Sequence, residues 1–444
     1  MIHLHTLDNG IRIVTEPIEN YRSAAFGLWI DAGSADETKE NNGIAHVIEH
    51  MLFKGTKTKT ARQLADEITS IGGNLDAYTT REYTCFSAHT LDIHLHHAID
   101  IIADMVKNSL ILEEDLQKEL GVILEEIDMY EDDPEELISD LMHQAVWRNQ
   151  PMGFLISGKK EVVRKFTRRD VLNFMDEYYV GTHMVISVAG RFNEPEIVDV
   201  IKKAFGSIPP VKGIASNVDD ENTKESLTVD FKAETKAAAC AAPVYYQSKV
   251  FKQKQLEQMH LSLAFPCIPY DHKDQYVYHI VDSIIGSNQN SRLFQEIRED
   301  QGLTYAIYSY SSSFKKCGIF QIYAATNPAQ LFQVLNEIKG VFQRLIDHPV
   351  TEKELTLTKA QIETELMIAA ESTQSRMESN GDALIYHSKI DTLDKILKDI
   401  DNISLEDVHQ FIKNYILDVM PSICVVGDLT QVNIQAVEKW RLYE

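Results

Sequence analysis

Two histidines four residues apart, His46 and His50, with Glu49 between them, are the side chains in this sequence best placed to do chemistry. On a helix both imidazoles project from one face, and Glu49 lies one turn after His46. Two imidazoles at that spacing can share one metal ion. A hydrolytic zinc site takes three protein ligands and keeps a fourth position open for water, so a third ligand must come from elsewhere. Glu49 is then free to act as base. The order His-x-x-Glu-His inverts the commoner His-Glu-x-x-His helix of zinc peptidases. In a chain with 16 histidines such a pentamer needs independent support.

That support lies in Leu116-Gln-Lys-Glu-Leu-Gly-Val-Ile-Leu-Glu-Glu-Ile-Asp128. At about 100° per residue, Leu116, Leu120, Ile123 and Ile127 form the core stripe of an amphipathic helix. Glu119 and Glu126 lie on the flank of that stripe, whereas Glu125 falls on the solvent side with Lys118, Gly121, Asp128 and Asp132. Periodicity therefore nominates Glu126 as the third ligand. Glu119, seven residues earlier, becomes a partner able to orient a ligating imidazole.

The stretch Gly43-Ile-Ala-His-Val-Ile-Glu-His-Met-Leu-Phe-Lys-Gly-Thr56, followed by Glu119 and Glu126, closely resembles the pitrilysin, insulysin and mitochondrial processing peptidase family. The resemblance implies His46, His50 and Glu126 as zinc ligands, Glu49 as the base and Glu119 as a supporting acid. A second family mark is Ser291-Arg-Leu-Phe-Gln-Glu-Ile-Arg-Glu-Asp-Gln-Gly-Leu-Thr-Tyr305, in which Arg298 and Tyr305 match a substrate-clamping pair. A guanidinium and a phenol can stabilise an oxyanion and hold peptide backbone beside it. Two departures stand out: Gly286-Ser-Asn-Gln-Asn290 replaces a glycine-rich run, and Asp76 stands where asparagine is usual.

The elements that must position these groups show a duplication. Thr167–Tyr178 aligns without a gap to Ser404–Tyr415, 237 positions on, and Asp170, Val171, Phe174 and Tyr178 recur as Asp407, Val408, Phe411 and Tyr415. The β-branched runs that follow end in Gly190 and Gly427 at the same offset. A capped helix, a buried strand and a glycine turn are thus used twice. The expected fold is α+β: two homologous domains, each a mostly antiparallel sheet covered by helices on one side. The expected boundaries are 1–212 for the zinc-binding domain, 213–228 for a polar linker and 229–444 for the domain carrying Arg298 and Tyr305. At the same offset, positions 283, 286 and 287 are Ser, Gly and Ser, so the second half keeps the scaffold without the zinc motif. Substrate backbone is expected to add as a strand along Ala77–Ala88, beginning with Ala77, Tyr78 and Thr79.

Composition is that of an ordinary folded chain: 444 residues, 44% apolar and 25% charged. A formal charge of −24 argues against nucleic acid, which demands excess Lys and Arg. It favours cationic partners instead, and Asp128, Glu131, Asp132, Asp133 and Glu135 crowd beyond the expected ligand Glu126. Five cysteines in unpaired spacing point to reduced thiols and a cytoplasmic setting. No basic segment leads into an apolar stretch at the start, and no run matches a membrane span. The function expected is a zinc-dependent endopeptidase cleaving peptides or unfolded segments in a chamber. In relatives of this length two chains pair, so a homodimer is expected, with a heterodimer as the variant.

Three other readings compete with this one. A non-catalytic peptide-binding or assembly subunit of the same fold has no reason to keep metal, base and clamp together. Gly153–Lys159 has phosphate-loop spacing but is followed by Lys160 rather than Ser or Thr. His94, His96 and His97 read as surface histidines.

Overall fold

The computed structural model describes residues 1–210, 241–387, 389–417 and 419–443. The linker expected over 213–228 and Cys240 lie outside the described residues. Those described form two compact units, each drawing on both halves of the sequence. Of the described residues, the first comprises those within 1–128, 154–210 and 368–390; the second comprises those within 129–153, 241–367 and 391–443.

In the first unit the strands are β1 (His3–Thr6), β2 (Arg12–Pro17), β3 (Ser23–Ile30), β4 (Asn74–Thr79), β5 (Thr84–Leu91) and β6 (Met184–Gly190). They assemble in the order β1-β2-β6-β3-β5-β4. Only β2 and β6 run parallel. One face packs on the helices Ile44–Leu52, Leu95–Asn108, Glu113–Asp132, Arg168–Tyr178 and Glu194–Phe205, which contribute Val47, Ile102, Ile123, Phe174 and Phe205 to a single core. Every residue of β6 is buried. A strand with no solvent face needs cover on both sides.

That second cover comes from helix Thr373–Tyr386, far along the sequence. Met377, Leu384 and Ile385 pack with Val14, Trp29, Cys85 and Val185. A Cβ at Gly381 would meet the Trp29 ring at 2.2 Å, and one at Gly27 would meet Met377 Sδ at 2.4 Å. The two glycines therefore make room for the indole, whose Nε1 donates to Asp382 Oδ1 at 3.2 Å. Ser187 Oγ donates to Met377 O at 2.7 Å and Arg12 to Leu384 O at 2.8 Å, while Glu16 accepts from Arg376 and Asn380. The sheet is thus covered on both faces, where the sequence pattern suggested one.

In the second unit β7 (Lys249–Gln253), β8 (Met259–Cys267), β9 (Thr304–Ser313), β10 (Gly318–Thr326) and β11 (Ser422–Gly427) stand in the order β7-β11-β8-β10-β9. Taken in chain order, this repeats β2-β6-β3-β5-β4, including the one parallel pair, β7 with β11. Its outer cover, helix Pro134–Val146, comes from the first half of the sequence, and Tyr246 N donates to Val146 O at 2.8 Å. The molecule is an α+β protein built twice on one strand plan.

The run Ala77–Ala88 is not one edge. The chain reverses at Thr80–Tyr83, where Thr80 N donates to Tyr83 O at 2.8 Å, and β5 is internal between β3 and β4. Of this run only β4 stands at an edge of the sheet, and Ala77, Tyr78 and Thr79 lie on it. Thr79-Thr-Arg-Glu-Tyr83 has no Gly or Pro to betray the turn; the Thr80 hydroxyl closes it by accepting from Tyr83 N at 3.0 Å.

Candidate metal centre

Helix Ile44–Leu52 is anchored by Ile44, Ala45, Val47, Ile48, Met51 and Leu52, all buried. Burial of each larger side chain contributes about 1.5–3 kcal/mol, which leaves the remaining stripe, His46, Glu49 and His50, held against solvent motion. Helix Glu113–Asp132 buries Leu116, Leu120, Ile123 and Ile127. Glu119 is buried beside them, Glu126 is half-buried and Glu125 is exposed.

The two helices bring the donors together. His46 Nε2 lies 3.8 Å from Glu126 Oε2, and His50 Nε2 lies 3.4 Å from the same oxygen. All three ligand atoms are within 4.8 Å of one another. Tetrahedral zinc with bonds of about 2.0–2.2 Å sets its ligands about 3.3–3.5 Å apart, so the set fits one such ion. The other nitrogen of His50, Nδ1, is 2.9 Å from Glu119 Oε1, and Lys54 Nζ is 2.5 Å from Glu119 Oε2. A carboxylate behind a ligating imidazole fixes its tautomer and ring orientation. Among the described residues this is the one group of three or more such side chains close enough to hold a metal.

The electrostatics follow from burial against pairing. Burial lowers the His50 pKa, but the hydrogen bond to Glu119 and the carboxylate of Glu126 outweigh it and push it up to about 9. Burial, reinforced by the neighbouring His50, drives His46 down to about 4, with Glu126 pulling the other way. Burial also raises Glu49 above the usual carboxylate range, opposed by the hydroxyl of Thr79, whose Oγ1 donates to Glu49 Oε2 at 2.6 Å. For Glu119, burial raises the pKa but is outweighed by His50 and Lys54, which hold the carboxyl below its ordinary value.

Two of these contacts were not foreseen. Lys54, one turn past His50, could have been found from helical spacing. The bond from Thr79 to Glu49 spans two elements and leaves no trace in local sequence.

Arg298 and Tyr305 belong to the second unit, whereas His46, His50 and Glu126 belong to the first. The Arg298 guanidinium lies 4.6 Å from the Phe294 ring and 5.9 Å from the Tyr305 ring, within cation–π reach. Tyr305 is the second residue of the edge strand β9 and is 78% exposed. Asp76 is exposed on β4. Of the acids beyond Glu126, Asp128 pairs with Lys160 at 2.5 Å, Asp132 pairs with Lys254 at 2.9 Å and Asp133 caps helix Pro134–Val146. Gly153–Lys159 follows no strand, which removes the phosphate-loop geometry. His96 and His97 sit 3.7 Å from Glu196 and 3.8 Å from Glu67, as separate surface contacts.

Residues 12–159 match the model of Insulinase (Peptidase family M16), and residues 165–362 match that of the Peptidase M16 inactive domain. The chain belongs to the insulinase family of peptidases. Among relatives in this family, YmxG of Bacillus subtilis, named an uncharacterized zinc protease, is 38% identical over 92% of this chain and 94% of its own. An uncharacterized zinc protease of Streptomyces coelicolor is 32% identical over 96% of this chain and 89% of its own. The fold is shared with a protease from Helicobacter pylori, at TM-score 0.85 and 20% identity over 96% of this chain and 99% of the other. A Pseudomonas fluorescens peptidase M16 inactive domain matches at TM-score 0.83 and 18% identity, over 96% and 98%.

Proposed function

We propose that this family member is an active zinc-dependent endopeptidase. The observation that carries the proposal is the convergence of His46, His50 and Glu126 on one point, with Glu49 on the same helix and pointing to the edge strand β4. A two-histidine, one-carboxylate donor set with an open fourth position is that of hydrolytic zinc, the metal named for both relatives. When bound, zinc supplies Lewis acidity that lowers the pKa of water toward neutrality and polarises a carbonyl.

The chain's own groups do the rest. Glu49, raised by burial, accepts a proton from the attacking water at its carboxylate and returns it to the leaving amine. Thr79 holds Oε2 of Glu49, which leaves Oε1 to handle the proton. Glu119, itself anchored by Lys54, keeps the ring of His50 in place. Substrate backbone pairs with β4 through Ala77, Tyr78 and Thr79, and Arg298 with Tyr305 contributes the oxyanion clamp that the resemblance implies. Pairing of two chains, zinc held at His46, His50 and Glu126, and a preference for short or unfolded peptides belong to the same proposal.

A bias toward basic peptides is supported by the charge of −24 and by Asp76 on the substrate edge. A reducing, cytoplasmic setting is supported by Cys85, Cys267 and Cys424, which are free thiols among the described residues. Among the described residues no helix is long and apolar enough to cross a membrane.

The test is removal of metal with a chelator followed by graded return of zinc, with turnover of a mixed peptide library as the readout. Activity that vanishes and returns with about one zinc per chain supports the proposal. Activity that survives chelation and complete removal of metal excludes it.

A further inference from the structure

The motif helix lacks a side-chain cap of its own. Gly43 occupies the capping position at φ 101°, a conformation that favours glycine. A Cβ there would come within 2.8 Å of Gly158 Cα and 2.9 Å of Ser157 O. The capping side chains of Ser, Thr, Asp or Asn therefore have no room at that point. The first N–H groups of a helix nevertheless need acceptors when buried.

Glu37, six residues upstream and 2% exposed, supplies them. Its Oε2 accepts from Gly43 N at 2.7 Å and from Asn42 Nδ2 at 2.8 Å, and its Oε1 accepts from Ala45 N at 2.9 Å. Ala45 immediately precedes His46. A carboxylate bridging two helix N–H groups is also aligned with the helix dipole.

The loop that carries Glu37 is tied to the substrate edge as well. Ser34 N donates to Thr80 O at 3.2 Å, and Ala35 N donates to Arg81 O at 2.7 Å. These are the first residues of the turn after β4. The residue before that turn, Thr79, holds Glu49. The contacts close a ring: Glu37 to the helix start, the helix to Glu49, Glu49 to Thr79, and the following turn back to the loop of Glu37.

We propose that Glu37 is a positioning residue of the metal centre, fixing the axial setting of helix Ile44–Leu52 relative to Glu126 and β4. It never touches substrate. Displacement of a reacting group by about 1 Å costs on the order of 10²-fold in rate, so a cap that locks the helix start acts on both metal affinity and turnover. The kinetic part rests on the peptidase reading; the metal-binding part does not.

The experiment uses the full chain carrying Glu37→Gln, which keeps shape but sets a donor against backbone N–H groups. The control is Asn193→Ala, which removes a comparable cap from helix Glu194–Phe205. Melting temperature, zinc affinity by chelator competition, and kcat and KM at saturating zinc are measured for each.

Glu37→Gln is expected to lower Tm about as much as the control, weaken zinc about 10–100-fold and reduce kcat by a similar factor, with KM little changed. Glu37→Asp should recover part of both losses, and Asn193→Ala should change neither. Zinc affinity and kcat for Glu37→Gln within about twofold of wild type would overturn the proposal. So would failure of both Glu37 variants to fold, since the residue would then serve the whole unit. If wild type cleaves nothing, the peptidase reading fails while zinc affinity still decides the role of Glu37.

Discussion

Helix Ile44–Leu52 in the first unit and the helical stretch Gln275–Ser287 in the second occupy the same place in one strand plan, after β3 and after β8. In the first, Glu49 reaches the neighbouring edge strand through the hydroxyl of Thr79. In the second, the corresponding position is Gly286, and a Cβ there would meet Ser309 Oγ at 2.6 Å and Ser309 N at 2.7 Å. The edge strand has moved in to backbone contact. Asp282, buried and raised to about 6 by that burial, accepts from Ser309 Oγ at 2.5 Å. The duplicated scaffold therefore does not by itself make a metal centre. What differs is one side chain between helix and edge strand: Glu49 stands there in one unit, and close packing of Gly286 against Ser309 takes its place in the other.

The comparison can be broken most directly at a donor. His50→Ala should take both zinc content and peptide turnover to background, a loss beyond the about 10²-fold that an outer partner costs; metal analysis and kinetics on the same sample measure it. Wild-type zinc content in that variant would remove His50 from the donor set.

Grafting the motif sharpens the comparison from the other side. Ser283→His, Gly286→Glu and Ser287→His together should give no second zinc and should destabilise the chain, because overpacking alone costs about 1–3 kcal/mol. Two zinc ions per chain with an unchanged Tm would show that this packing is not what separates the units.

Glu119→Gln tests the support behind the centre. Zinc affinity should fall about 10–100-fold while the fold, followed by circular dichroism, is kept. An unaltered affinity would make the contact from Glu119 to His50 incidental.

A smaller effect is expected with pH. In the metal-free chain His50, raised to about 9, carries a proton at neutral pH that a ligand nitrogen must lose. Zinc affinity should rise about tenfold per pH unit between 7 and 9 and level off above. His46, lowered to about 4, is already neutral there and adds nothing to the slope. Calorimetry in buffers of different ionisation heat should record about one proton released per zinc at pH 7; none released would contradict the pairing described for His50.

That His46, His50 and Glu126 come together, with Glu119 behind His50, was legible because helical period is a local property: each can be placed on a helix face without knowledge of the fold. The repeated plan was legible through Asp170, Val171, Phe174 and Tyr178 and their counterparts: the Asp closes the capping box of the same helix twice, and the Val and Phe are buried in the core of each unit. Periodicity does not say which sheet an amphipathic helix covers. The helices Thr373–Tyr386 and Pro134–Val146 therefore gave no sign of belonging to the unit opposite their place in sequence. The turn inside Ala77–Ala88 was hidden because it relies on a threonine hydroxyl rather than on glycine or proline. Glu37 escaped notice because its capping bonds reach forward from a loop, six residues before the position where a cap is ordinarily sought.

Glu49→Gln is the most direct trial of the central claim, that one helix both holds the metal and presents the base. Purified wild type and variant are compared for bound zinc and for cleavage of a library of basic peptides. The account predicts about one zinc per chain in each and a fall in kcat of about 10²–10⁴-fold or more in the variant. Equal turnover by the two proteins at equal zinc content would contradict it.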